Sequence, residues 1–414
     1  MICLNKDINL KLICLAILTI LLFSGFVPTV SSFYTKTENI SKDFNDQLFD
    51  LKIKSLMKLG RFPSLSACII KDNEIVWYEG YGYSNILKRQ RPTIDTAYQI
   101  GSISKTFLGT AMMQLYERGL FDLDDDVNDY LDFNVRNPNY PDMPITFRML
   151  LAHQSSIAGH TIHETGLLSS LDLYIFIIFM KDKSNYPYPQ IKELLTPSGK
   201  LYRENVWLDI APGSDSSYSN LGMILLEHLL EKMSAQKYSD YVKENIFEPL
   251  QMNNTSIYFD DFNRDKIAIP YFTAGFIQVP IPLFDFNYGP GGVKSSIKDM
   301  SHYVIAHMNG GVWNDIRILN ESTVEEMHTI QYPDSVWQGE RFGLGWVDWD
   351  EVDGFNYHGH IGDGQGCSAC MLINHSNDHA AILLLNKYAD QKRPFVINSF
   401  MKLQDTILIK AIDL

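Results

Sequence analysis

Strand-like segments stand at the two ends of this chain with helical periodicity between them, and no other feature restricts the fold as far. From Ser64, "SLSACIIKDNEIVWYEGYGYSN" alternates and carries β-branched and aromatic residues on both sides of Lys71-Asp72-Asn73-Glu74, which predicts a β-hairpin. From Phe342 to Asn386 the chain is again strand-like and punctuated by glycine ("FGLGWVDWD", "CSACMLIN", "AAILLLN"), and "FVINSFMKLQDTILIKAI" closes it as a helix. In between, Phe107, Leu108, Ala111, Met112 and Leu115 recur at helical spacing and stop at Gly119. The same periodicity returns over Leu221 to Met233 and around Tyr241 to Pro249, and Thr146 is placed to cap a short helix from Phe147 to Leu151. The pattern predicts an α/β (α+β) fold: a sheet assembled from N- and C-terminal segments, with a helical region inserted between them. The apolar stretch Leu167 to Met180, within residues 157–207, reads as a packed helix ahead of its alternatives, a lid or a membrane-touching loop.

The first 32 residues stand apart. Lys6 and Lys11 precede a charge-free run from Leu12 to Tyr34 that small residues, Val30-Ser31-Ser32, close like a cleavage site. Residues 1–32 are therefore expected to be a signal peptide or an N-terminal membrane anchor, with a tether through residues 12–34 as the alternative to cleavage. Residues 33–45 read as a linker and 46–414 as the working domain, secreted or held outside the cytoplasm. A net charge of −14 repels phosphate backbones, which argues against nucleic acid as a partner. Beyond the leader lie Cys68, Cys367 and Cys370. An odd count is no disulfide framework, and Cys367-x-x-Cys370 lacks a second pair to complete a zinc site, so no metal is expected. One bridge from Cys68 to Cys367 or Cys370 is open in an oxidising compartment.

Chemistry concentrates at "YQIGSISKTFLGTAMMQLYERG", from Tyr98. A serine in the first helical turn with a lysine at i+3 sets an amine beside a hydroxyl. A desolvated lysine there can lose its proton and accept the serine's, while the unpaired N–H at the helix start faces any oxyanion that forms. S-x-x-K alone is a weak pattern, since Ser55 and Lys58, Ser234 and Lys237, Ser295 and Lys298, and Ser399 and Lys402 also fit it. Ser102 differs in context: it follows a strand-like run, sits behind Gly101 and opens a helix with an apolar face. Tyr218-Ser219-Asn220, ahead of a helix, offers a second proton-handling group and an amide contact. His360, Gly362 and Gly366 precede a strand, where glycine lets a substrate lie against backbone.

Together, Ser102-Ile103-Ser104-Lys105, Tyr218-Ser219-Asn220 and His360-Ile361-Gly362 resemble the three ordered motifs of the serine β-lactamase and penicillin-binding-protein superfamily. The histidine in place of the lysine of K-T-G looks like the esterase, D-peptidase and class C-like branch, and the flanks "APGSDSSYSNLGMILLEHLLEKMS", "GPGGVKSSIKDMSHYVIAHMNGG" and "FGLGWVDWD" are similar to it as well. The resemblance implies a β-lactamase/transpeptidase-like fold, with a central antiparallel sheet from N- and C-terminal segments flanked by helices and an inserted, mostly helical region, and a hydrolase that cleaves an amide or ester through an acyl-serine. Ser102 would be the nucleophile, with Lys105 and Tyr218 sharing its proton. Asn220 would hold the substrate amide, and His360 would orient Tyr218 or meet a substrate carboxylate. Backbone N–H groups of Ser102 and Asp363, next to Gly362, would form the oxyanion hole. It implies no cofactor, and as partner a small peptide, ester or β-lactam-like substrate; oligomeric state is left open. A catalytically silent scaffold of the same fold is the competing reading. Three departures bear on specificity: Asp363, whose charge would oppose a carboxylate-bearing substrate; Ser156 where glycine is usual; and the 157–207 insertion. His153 reads as a core hydrogen-bonder.

Overall fold

Two-residue hairpin turns require left-handed backbone, and Asp72 (φ 51°) and Asn73 (φ 64°) supply it between β1 (Ser64–Lys71) and β2 (Glu74–Gly82). The computed structural model describes residues 46–159, 191–285, 289–352, 355–376 and 378–414. The leader, the tether over 12–34 and the expected helix from Leu167 to Met180 lie outside them. The chain divides into a unit through Ser55, helical from residue 46, and a second from Leu56 to Leu414. No described helix is long and apolar enough to cross a membrane.

Five more strands complete the sheet: β3 (Glu340–Phe342), β4 (Val347–Val352), β5 (Phe355–Gly364), β6 (Cys367–Asn374) and β7 (His379–Leu385). They form one seven-stranded antiparallel sheet in the order β2-β1-β7-β6-β5-β4-β3. N- and C-terminal segments meet at the β1–β7 pair, where Cys68 faces Ile382 across the register. β6 and β7 are buried along their whole length because helices cover both faces, so these strands read as continuous apolar runs rather than as alternation. Cys68, Ile382, Met371 and Ala369 point into the large core beneath the helices Ser104–Glu117 (α1), Asn220–Ser234 (α2) and Ile297–Met308 (α3). The closing helix, Pro394–Asp413 (α4), packs on β1 and β7.

All three described cysteines are free and buried. The register explains why no bridge forms. Cys68 pairs with Ile382, which pairs with Met371, so β7 stands between Cys68 and the cysteines of β6. Two strand spacings are about 9.6 Å, beyond the roughly 7 Å limit for a disulfide.

Candidate active site

Short strand Ala97–Gln99 delivers the chain to Gly101, whose φ of +53° turns it into a 3-10 turn over Gly101–Ile103 that runs on into α1. Ser102 thus sits in that turn, just ahead of the α-helix expected to begin with it. The i+3 geometry survives, and Lys105 Nζ donates to Ser102 Oγ at 2.9 Å and to Pro290 O at 3.2 Å. Lys105 is 1% exposed, and this burial pulls its pKa from 10.5 down to about 7. A substantial share of the amine is therefore neutral at neutral pH. Ser104, just before Lys105, accepts from Val293 N at 3.1 Å and ties the chain that follows Gly289–Gly292 to the turn.

Tyr218 arrives on the loop that opens α2. Lys105 Nζ lies 5.0 Å from its ring centroid, and the ring is enclosed by His153 (4.5 Å), Trp337 (5.6 Å, stacked), His360 (6.1 Å) and Phe342 (6.4 Å). Ser219 caps α2, its Oγ accepting from Gly222 N at 3.0 Å, and its own N–H donates to His153 Nδ1 at 3.1 Å. His153 is a buried hydrogen-bonder as expected, and it also fixes the Tyr218 loop. Burial, with Lys105 and His360 nearby, holds its pKa well below 6.5. Asn220 is the first residue of α2, and its buried Oδ1 has no protein partner among the described residues. Ser156 does adopt the left-handed backbone usually given to glycine (φ 56°), and Asn137 Nδ2 donates to its Oγ at 3.0 Å.

β5 brings the third element against the nucleophile turn. A Cβ on Gly362 would lie 1.8 Å from Ile100 O, and one on Gly101 would lie 2.9 Å from Asp363 N, so both glycines exist to let two backbones touch. His360 is 3% exposed and donates Nδ1–H to Ile361 O at 2.6 Å, which leaves Nε2 as an acceptor. Burial, reinforced by Lys105, pushes its pKa down to about 3, so the imidazole is neutral. Asp363 departs from expectation. Side chains alternate along a strand, so if His360 and Gly362 face the nucleophile Asp363 faces away. Its register partner is Ser368, whose Oγ donates to Asp363 Oδ1 and accepts from Ala389 N at 2.8 Å. Burial raises the Asp363 carboxyl to about 6. Its charge therefore does not stand in the path of a substrate carboxylate; only its backbone reaches the site.

Ser102, Lys105, Tyr218 and His360 thus converge, with Asn220, Gly362 and the Asp363 backbone around them. Sequence reasoning missed Pro290, the second acceptor of Lys105, and the Trp337–Phe342 wall beside Tyr218. A backbone carbonyl carries no signal in the letters, and an aromatic before a strand looks like any packing residue.

Residues 49–405 match the protein family described as Beta-lactamase. Beta-lactamase-like protein 2 of Dictyostelium discoideum is 30% identical over 306 residues, which is 72% of this chain and 49% of that protein. Protein flp of Staphylococcus aureus is 25% identical over 64% of this chain and 49% of its own length. The chain spans about half the length of the curated relatives it matches. Among solved structures, the octameric penicillin-binding protein homologue from Pyrococcus abyssi is 28% identical with a TM-score of 0.68, covering 82% of this chain and 73% of that one. D-amino acid amidase from Ochrobactrum anthropi SV3 is 20% identical with a TM-score of 0.66, covering 88% and 98%, a likeness of fold.

Proposed function

Because this chain belongs to the beta-lactamase family, we propose that it is a serine hydrolase that opens an ester or amide through an acyl-Ser102 intermediate. The observation that carries this reading is the 2.9 Å contact between Lys105 Nζ and Ser102 Oγ, made by an amine that burial has brought down to about 7. The neutral amine takes the Ser102 proton as Oγ attacks the carbonyl carbon. The N–H groups of Ser102 and Asp363 hold the charge that develops on the carbonyl oxygen. Tyr218 relays the proton to the leaving amine or alkoxide as its bond to carbon breaks. Water then attacks the acyl-enzyme, gives its proton back through the same pair, and releases the acid with Ser102 restored. Asn220 supplies the amide contact to the substrate.

The neutral His360 shapes substrate choice. Where a lysine would offer a fixed cation to a carboxylate, this imidazole offers an acceptor and no charge. That favours an ester or a D-aminoacyl amide over a β-lactam, whose carboxylate would find no counter-charge there. Residues 1–32 extend the proposal to a protein exported or tethered outside the cytoplasm, which N-terminal sequencing of the mature protein tests.

A fluorophosphonate probe should label the protein at Ser102, and Ser102→Ala should remove the label without altering the circular dichroism spectrum. A panel of short-chain nitrophenyl esters, D-alanine amide and penicillin should then rank in that order by kcat/KM. A folded wild type that takes no probe would leave the silent-scaffold reading in its place.

A further inference from the structure

Lys105 has a second acceptor besides Ser102, and that acceptor is held from outside the nucleophile turn. Pro290 O takes the Lys105 N–H at 3.2 Å within the short helical segment Gly289–Gly292. Past the far end of this segment, Val293 N donates to Ser104 Oγ at 3.1 Å and Val293 O accepts from Ile100 N at 3.2 Å, both inside or beside the turn. The near end is tied elsewhere. Gly289 N donates to Glu227 Oε2 at 3.0 Å, about two turns along α2 from Asn220. Gly289 packs directly against Tyr238, whose ring would lie 2.0 Å from a Cβ there, and the ring of Pro290 fixes the next φ.

A neutral amine has two N–H bonds and one lone pair. Donating one N–H to Pro290 O leaves the lone pair free to turn toward the Ser102 hydroxyl, which is the arrangement a general base needs. We infer that Glu227 is a positioning residue: through Gly289 and Pro290 it holds Lys105 Nζ in the orientation that receives the Ser102 proton. This rests on the reading of Ser102 as nucleophile. Burial raises the Glu227 carboxyl from 4.5 to about 8, so at neutral pH it accepts the Gly289 N–H without placing a negative charge in the helix pair. The titratable groups that face this junction are Glu231 and Tyr238 beside Glu227, and His153, His360 and Tyr218 beside Lys105.

The test is the rate of fluorophosphonate labelling at Ser102 across pH in wild type, Glu227→Ala and Glu227→Gln. Glu227→Ala should lower the saturating rate by about tenfold, leave the half-saturating probe concentration unchanged, and displace the low-pH limb set by Lys105. Glu227→Gln should restore rate and limb at pH 7, because the carboxamide oxygen accepts the same N–H. It should also lose any change in rate near pH 8 that wild type shows as its carboxyl ionises. Should Glu227→Ala not fold, Glu227→Leu, which fills the same volume but cannot accept the Gly289 N–H, takes its place in the comparison. Wild-type rate and limb in Glu227→Ala, or a Gln variant as slow as Ala with the limb in place, would overturn the inference and leave the hydrolase reading standing. A wild type that takes no probe overturns both.

Discussion

Lys105 makes the case at the scale of single residues. Its pKa falls from 10.5 to about 7 through burial, so between those values the unfolded chain binds a proton that the folded one does not. Stability therefore rises with pH across that window and the cost of burying the ammonium is complete below it. On the proposed function, labelling of Ser102 should follow the same titration and rise through a limb near pH 7. Lys105→Met should abolish labelling yet raise the Tm measured at pH 6, because an uncharged side chain of similar length fills the site. A Tm for Lys105→Met below wild type at pH 6 would contradict the buried-amine account. The residue was legible in the sequence, as a lysine three after a serine at a helix start. Its pKa was not, because desolvation depends on Pro290, Tyr218 and the other groups that close over it.

At the scale of elements, the contact between β5 and the turn that carries Ser102 sets where the Asp363 N–H stands relative to Ser102, which on the proposed function is the oxyanion geometry. A methyl on Gly362 would meet Ile100 O, which is backbone and cannot rotate away. Gly362→Ala should cost about 1–3 kcal/mol and cut labelling more steeply than stability, because it pries the Asp363 N–H from Ser102. Urea unfolding and labelling kinetics on one sample separate the two; equal wild-type rates would refute this geometry. The elements themselves were largely written in the chain. Asp72-Asn73 marked the hairpin, and Thr146 was a correct cap, its Oγ1 accepting from Met149 N at 3.2 Å. What alternation could not tell was which way Asp363 pointed, since strand-face assignment needs the register with β6, and with it the apparent charge barrier disappears.

Across the described residues, desolvation holds His153, His307, His328, His358 and His360 neutral. Three form a file. His307 Nδ1 lies 3.2 Å from His328 Nε2, the rings of His328 and His358 are 4.3 Å apart, and His375, 5.2 Å further on, meets Asp348 at 2.7 Å. Each folded pKa is depressed below 6.5, so as pH falls through 6.5 the unfolded chain takes up protons that the native one refuses, and stability drops. Two acids oppose this, Glu227 and Asp363, raised to about 8 and about 6; Asp299, Glu340 and Asp348 are also raised and narrow the difference. With His228 and His302 lowered as well, unfolding should on balance take up protons near pH 5.5, lowering the urea midpoint below its value at pH 7.5. His307→Gln should flatten that dependence. A midpoint independent of pH would show the histidines to be solvated.

The sequence by itself determined the hairpin at Asp72-Asn73, the helices that follow Ser102 and Ser219, the closing helix and the order of the three motifs, because these depend on periodicity and on backbone torsions that neighbouring residues impose. Tertiary structure alone decided the proton affinities of Lys105, Glu227 and His360, the face on which Asp363 lies and the separation of the cysteines. Those properties arise from groups distant in the chain that exclude water from one another, and no local pattern encodes how completely they do so.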